Sequence, residues 1–115
     1  MNKEKTPFKK IAGQAFSRRE WRKALENFQK HCVQEPNDLR SQLKVAELLG
    51  RLGQREEAIQ AYQKVSEAHA KDGFFLQAIS LNKIILRIDP SLKEINDRLA
   101  HLYIEKSRQA KPIQR

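Results

Sequence analysis

The side chains best suited to chemistry in this chain are three histidines and one cysteine, which could supply a general base, a nucleophile or metal ligands. Their placement argues against all three. His31 and Cys32 are adjacent, so on a helix they point to different sides. His69 and His101 are far off in sequence, and no metal spacing results. His69 and His101 read instead as residues of helix–helix seams, and Cys32 as a small apolar packing residue. Glu56-Glu57 could suggest paired acids, but neighbouring helical carboxylates face apart and suit a solvated first turn. Ser17, Ser66 and Ser91 have no base arrangement that would activate them, and Ser17 and Ser91 are accounted for as helix caps. The four glycines are scattered and form no phosphate-binding loop. No catalytic, cofactor-binding or metal residue is expected, and the chain reads as non-enzymatic.

Composition points the same way. A chain of 115 residues is one domain's worth of protein and can bury a core without metal or disulfide staples. Hydrophobic residues make up 39% and charged residues 32%, a balance that suits exposed-faced helices better than disorder. β-Branched runs are nearly absent, which disfavours sheets. The single cysteine precludes an internal disulfide, no segment approaches a membrane span, and MNKEKTPFKK does not resemble a secretory leader. A cytoplasmic location without membrane insertion is the expectation. The net charge of +9 is concentrated at the two ends: residues 1–36 hold nine basic and four acidic side chains, 37–72 six of each, and 73–115 eight and four. Such ends attract acidic partners, anionic surfaces or nucleic acid.

The elements that would position these residues are helices. Thr6-Pro7 opens a first helix running to about Phe16. Ser17-Arg18-Arg19-Glu20 has the form of a capping box before a second helix from Glu20 to about Gln34. Pro36-Asn37-Asp38 ends it and caps a third over Leu39–Leu52, and Gly53 supplies its left-handed end. A fourth spans Glu56–Ala70, and a fifth, the most apolar, spans Phe74–Ile88. Ser91-Leu92-Lys93-Glu94 forms a second capping box, opening a sixth helix to about Lys106. Residues 1–5 read as an N-terminal extension, 6–106 as the helical domain and 107–115 as a flexible basic tail. Short connections force neighbouring helices to run antiparallel.

One helix pair is written twice. Phe8-x2-Ile11-Ala12-x2-Ala15, then Ala24-x3-Phe28 and Pro36, are followed 34 residues later by Gln42-x2-Val45-Ala46-x2-Leu49 and Ala58-x3-Tyr62. Ala58 to Ala78 is only 20 residues, so the fourth helix must serve twice: it closes the second pair and opens a third through Tyr62-x2-Val65-Ser66-x2-His69. The sixth helix, Asn96-x2-Leu99-Ala100-x2-Tyr103, repeats the first-helix pattern with no second helix after it, as a terminal cap would. Over residues 5–106 the pattern resembles the tetratricopeptide repeat. It departs from that pattern at His31, where a small residue is usual, at Ala70, which replaces Pro, and at Asn82, which replaces an aromatic. Arg55–Pro90 is also similar to repeat blocks of bacterial regulatory proteins, where such blocks accompany a signalling domain.

The resemblance implies an all-α, antiparallel array of about six helices, a tetratricopeptide-like α-solenoid. It also implies an adaptor that binds another protein and scaffolds or regulates it. In that family the first helix of each pair lines a groove. Here that gives Lys9, Gly13, Phe16 and Ser17, together with Arg40, Leu43, Glu47, Gly50 and Arg51. A groove so composed suits an acidic or amphipathic helix or peptide, or a signalling protein. The clamp by which some relatives hold a C-terminal carboxylate is not implied: Lys9 matches it, but Gly13 and Lys44 stand where Asn is expected. A second interface, for a partner or a homodimer, would use Phe74, Phe75 and Leu81 of the apolar fifth helix. The competing reading is a basic nucleic-acid-binding accessory protein that uses Lys9, Lys10, Arg18, Arg19, Arg22 and Lys23 with interleaved Phe8, Phe16 and Trp21.

Overall fold

The computed structural model describes residues 6–110, with the side chain of Ala110 left aside. The fold is all-α, with six helices in the antiparallel order of a tetratricopeptide-like repeat array: α1 (Phe8–Ser17), α2 (Trp21–Gln34), α3 (Leu39–Arg51), α4 (Arg55–Lys71), α5 (Phe75–Ile88) and α6 (Lys93–Ala110). The N-terminal extension 1–5 and residues 111–115 of the expected tail lie outside the described residues. Residues 107–110 are not tail but the last turn of α6. No helix among the described residues is long and apolar enough to cross a membrane.

Three turns share one construction. Arg19, Gly53 and Gly73 have φ of 61°, 80° and 83° and end α1, α3 and α4. In each, two amides reach back to satisfy carbonyls of the last turn. Arg19 N–H donates to Phe16 O and Glu20 N–H to Ala15 O, Gly53 N–H to Gly50 O and Gln54 N–H to Leu49 O, Gly73 N–H to Ala70 O and Phe74 N–H to His69 O. The spacing of these residues, 34 and then 20, is that of Ala24, Ala58 and Ala78. The repeat is therefore written in its turns as well as in its packing residues.

Three expected helix starts are corrected. Ser17 ends α1 instead of capping α2, whose N-cap Glu20 makes no side-chain cap bond. The left-handed residue at 19 reverses the chain too soon for Ser17 to reach the amides of α2. The N-cap of α1 is Pro7, and Phe8 N–H is taken by the Thr6 carbonyl at 2.8 Å, not by a Thr6 side-chain cap. Ser91 directs its hydroxyl and its amide to Asp89 Oδ1, at 2.7 and 3.0 Å, and so is spent on the turn before α6. Asp38 does cap α3, its Oδ1 accepting from Ser41 N–H at 3.2 Å.

The chain divides into two compact units after Ala61, in the middle of α4. That break falls where α4 changes from closing the second pair to opening the third. In the first unit, Ala12, Ala24, Ala46 and Ala58 have no exposed surface, so the small residues of the pattern sit at close helix approaches. Leu25, Phe28, Leu48 and Leu49 fill the space around them. In the second unit, Ala70, Ala78, Ile79 and Leu102 form a core flanked by Phe75 and Leu99. His69 lies partly buried with its ring 6.2 Å from Phe74, whereas His101 is exposed and lines no seam. Ala100 and Tyr103 are also exposed.

Candidate protein-binding surface

In the first unit α1 is linked to α3 by Lys9 with Asp38 and by Lys44 over Phe16, and the expected groove residues map onto those two helices. Lys9, Gly13, Phe16 and Ser17 recur on α1 at the spacing that Leu43, Glu47, Gly50 and Arg51 repeat on α3. A spacing of three or four keeps each set on one helix face. Lys9, Gly13, Ser17, Arg40, Gly50 and Arg51 are exposed, and Phe16, Leu43 and Glu47 are half-buried. The surface thus has an apolar floor and a basic rim. Glu47 contributes a carboxylate paired with Lys44 at 3.4 Å.

Gly13 is interior to α1, where glycine costs about 1 kcal/mol relative to alanine, and Gly50 lies in the last turn of α3. A Cβ at either position would meet nothing within 4 Å. Internal packing therefore does not require them, and both lie on the face that the groove presents.

Two polar features hold this surface together. Asp38, at the start of α3, accepts from Lys9 Nζ at 3.1 Å, His31 Nε2 at 2.8 Å and Ser41 Oγ at 2.9 Å, all at Oδ2. One carboxylate so joins α1, α2 and α3. Desolvation by burial raises its pKa. The bonds from His31, the Ser41 amide, Lys9 and the Ser41 hydroxyl outweigh that and hold it well below the usual carboxylate range. His31, where the pattern has a small residue, is explained by this bond. The second feature is a row of alternating cations and rings. Lys44 Nζ lies 4.4 Å from the centroid of Phe16. The rings of Phe16 and Trp21 meet edge-to-face at 5.3 Å, and the Arg51 guanidinium carbon stands 4.5 Å from the Trp21 centroid.

Two clefts border α1. One, of about 500 Å³, is lined at the start of the helix by Phe8, Lys9, His31 and their neighbours. The other, of about 550 Å³, is lined at its end by Phe16, Ser17, Arg19, Trp21 and Arg51. The second cleft joins residues that sequence reasoning assigned separately: Phe16, Ser17 and Arg51 to the groove, and Arg19 and Trp21 to the basic and aromatic cluster, with Arg19 also in a capping box. The signal that could have placed Arg19 is its 34-residue offset from Gly53.

Of the second interface, Phe74 is 52% exposed, but Leu81 is only 6% exposed, and Phe75 packs against the core of the second unit. Leu81 is thus buried in the fold, and Phe75 keeps part of its surface exposed. Leu76, 60% exposed, is the other large apolar side chain that α5 leaves open. Among the described residues no group of three or more His, Cys, Asp or Glu side chains is placed to hold a metal ion.

No protein-family profile and no curated protein matches the chain. Among solved structures, the chain is similar to the first TPR domain of the human RPAP3 protein, with 15% identity over 89% of this chain and 91% of that one and a TM-score of 0.45. It is also similar to the TPR2B domain of yeast Sti1, solved as a complex with pHsp70, with 18% identity over 89% and 94% and a TM-score of 0.46.

Proposed function

We propose that the chain is a non-enzymatic adaptor that binds another protein through the face shared by α1 and α3. The observation that carries this reading is the pair of helical glycines, Gly13 and Gly50, kept on one exposed face where a Cβ would find open space. Conformational cost without a packing return is what a surface needs if an occupant must approach the backbone closely. The half-buried Phe16 and Leu43 give that occupant an apolar footing, and Lys9, Arg40 and Arg51 give it a basic rim. An acidic or amphipathic helix or peptide of a partner, a signalling protein among the candidates, fits this combination.

The test is a crosslinking pull-down with the bound chain identified, repeated with Leu43→Glu and Arg51→Glu. Loss of the same partner from both variants, with helix content unchanged by circular dichroism, is the expected result. Retention by both would move the binding surface to the exposed Phe74 and Leu76 of the second unit.

The nucleic-acid reading has less support. Base stacking needs open aromatic faces, yet Phe8, Phe16 and Trp21 each carry a cation from the protein itself, Lys30, Lys44 and Arg51 respectively.

A further inference from the structure

The geometry points to a carboxylate-binding site in the cleft between the end of α1 and the end of α3, where Arg19 and Arg51 receive an acidic side chain of the bound protein. The inference rests on the adaptor reading above and deepens it by assigning one anchor and its chemistry.

Three observations converge there. The cleft is lined by Phe16, Ser17, Arg19, Trp21 and Arg51, two arginines, a serine and two aromatic residues, with no acidic residue in the lining. Among the described residues, no carboxylate forms an ion pair with Arg19 or Arg51. Guanidinium groups match the planar, two-oxygen geometry of a carboxylate.

The third observation is backbone. Arg19 holds φ at 61°, in the turn whose counterparts are Gly53 and Gly73. Glycine adopts that conformation at lower cost. Arginine there is unfavourable for the turn, and an exposed guanidinium at the mouth of a cleft is what it supplies in return. Arg51 also lies in the last turn of α3, where any cation is favoured by the carbonyl end of the helix. That explains a positive charge but not its seat over Trp21 in a cleft that Arg19 also lines.

A peptide carboxylate fits better than a nucleotide phosphate. Trp21 and Phe16 already have Arg51 and Lys44 against them, so a base has no open platform. The half-buried rings still offer an apolar wall to the residue beside the carboxylate.

Trp21 is the only tryptophan, so its emission reports on the cleft directly. The full chain is titrated with a fluorescein-labelled, end-blocked hexapeptide, Glu-Leu-Glu-Glu-Leu-Glu, following anisotropy and, with unlabelled peptide, Trp21 emission. The controls are the same peptide with Gln for Glu and a six-nucleotide thymidine oligomer. Saturable binding that shifts Trp21 emission and is about tenfold tighter than the Gln peptide is expected. It weakens about fivefold or more in Arg19→Gly and Arg51→Gln. Arg19→Gly is the informative variant, because relief of the turn keeps its thermal midpoint at or above the wild-type value while binding falls. Equal binding by both arginine variants, equal binding of the Gln peptide, or tighter binding of the oligonucleotide at the same cleft would overturn the assignment. Leu43→Ser separates this site from the groove. Dependence on Leu43 but not on the arginines leaves the groove and removes the anchor. Dependence on Arg19 with none on Leu43 leaves the anchor and removes the groove, Arg51 being shared by both.

Discussion

His31 Nε2 donates to Asp38 Oδ2 across 2.8 Å, and this bond ties the end of α2 to the start of α3. Lys9 of α1 reaches the same oxygen, so three helices meet on one carboxylate. The substitution that departs from the repeat pattern, histidine for a small residue, is therefore paired with the cap that starts the next repeat.

A pH dependence follows from the depressed pKa of Asp38. A carboxylate ordinarily titrates near 3.9 in an unfolded chain. With a folded value below that, the ionised form stabilises the fold fully above about pH 4, and the contribution is lost as pH falls through the folded value. Asp38→Asn is expected to lower stability at pH 7 by about 1–2 kcal/mol, through the weakened cap and the lost charge-assisted bonds. The gap to wild type should close in acid. Urea unfolding midpoints of the two proteins at pH 7 and pH 2.5 measure this, and parallel curves at both pH values would exclude Asp38 as the source.

Replacing either groove glycine by alanine separates a functional cost from a packing need. Gly13→Ala and Gly50→Ala should each raise stability by about 0.5–1 kcal/mol, since the added methyl group meets no neighbour. Both sites have helical backbone, Gly50 in the last turn of α3, where its carbonyl accepts from Gly53 N–H. A lower midpoint in thermal unfolding for either variant would show that the glycine serves the fold rather than the surface.

In the second unit Ser66 occupies the small position of the pattern and Asn82 replaces its aromatic residue. Asn82 Nδ2 donates to Ser66 Oγ at 2.6 Å and to Ala78 O at 2.9 Å, and Ser66 Oγ donates to Ala78 O at 3.1 Å. Both residues are buried, and Asn82 Oδ1 has no partner among the described residues. Removing one member strands the other, so Ser66→Ala should cost about 1–3 kcal/mol. A double-mutant cycle with Asn82→Leu should show coupling of about 1–2 kcal/mol. Additive losses in chemical denaturation would mean that the two act independently.

Much of the helical scheme was legible because small and apolar residues recur at fixed offsets and burial follows that period directly. Ala12, Ala24, Ala46, Ala58 and Ala78 were marked by type, and each is fully buried. The double use of α4 was likewise written in the shortened 20-residue interval, and the boundary between the units falls there. Caps were less legible. Ser17 has the right residue type for a cap, but its role depends on whether the chain has already turned at Arg19. Long-range polar partners could not be read at all: Asp38 finds Lys9 across 29 positions, and nothing local in the sequence encodes that distance. The exposure of Phe74 beside the burial of Leu81 is of the same kind, since it depends on which side of α5 meets α6.

The three left-handed turns supply a comparison in which one motif gives opposite signs. At Gly73, with φ of 83°, a Cβ would lie 3.3 Å from Gln109 Nε2, which itself donates to the Gly73 carbonyl at 3.0 Å. Gly73→Ala should therefore cost about 1 kcal/mol or more, from the unfavourable backbone and the displaced side chain of α6. At Arg19 the unfavourable residue is already present, so Arg19→Gly should gain up to about 1 kcal/mol, offset in part by the greater freedom of glycine in the unfolded chain. Thermal and urea unfolding of the two variants measures both terms. Opposite signs would show that the fold tolerates Arg19 rather than requires it. A loss of stability in Arg19→Gly would show instead that the arginine side chain holds the α1–α2 turn together.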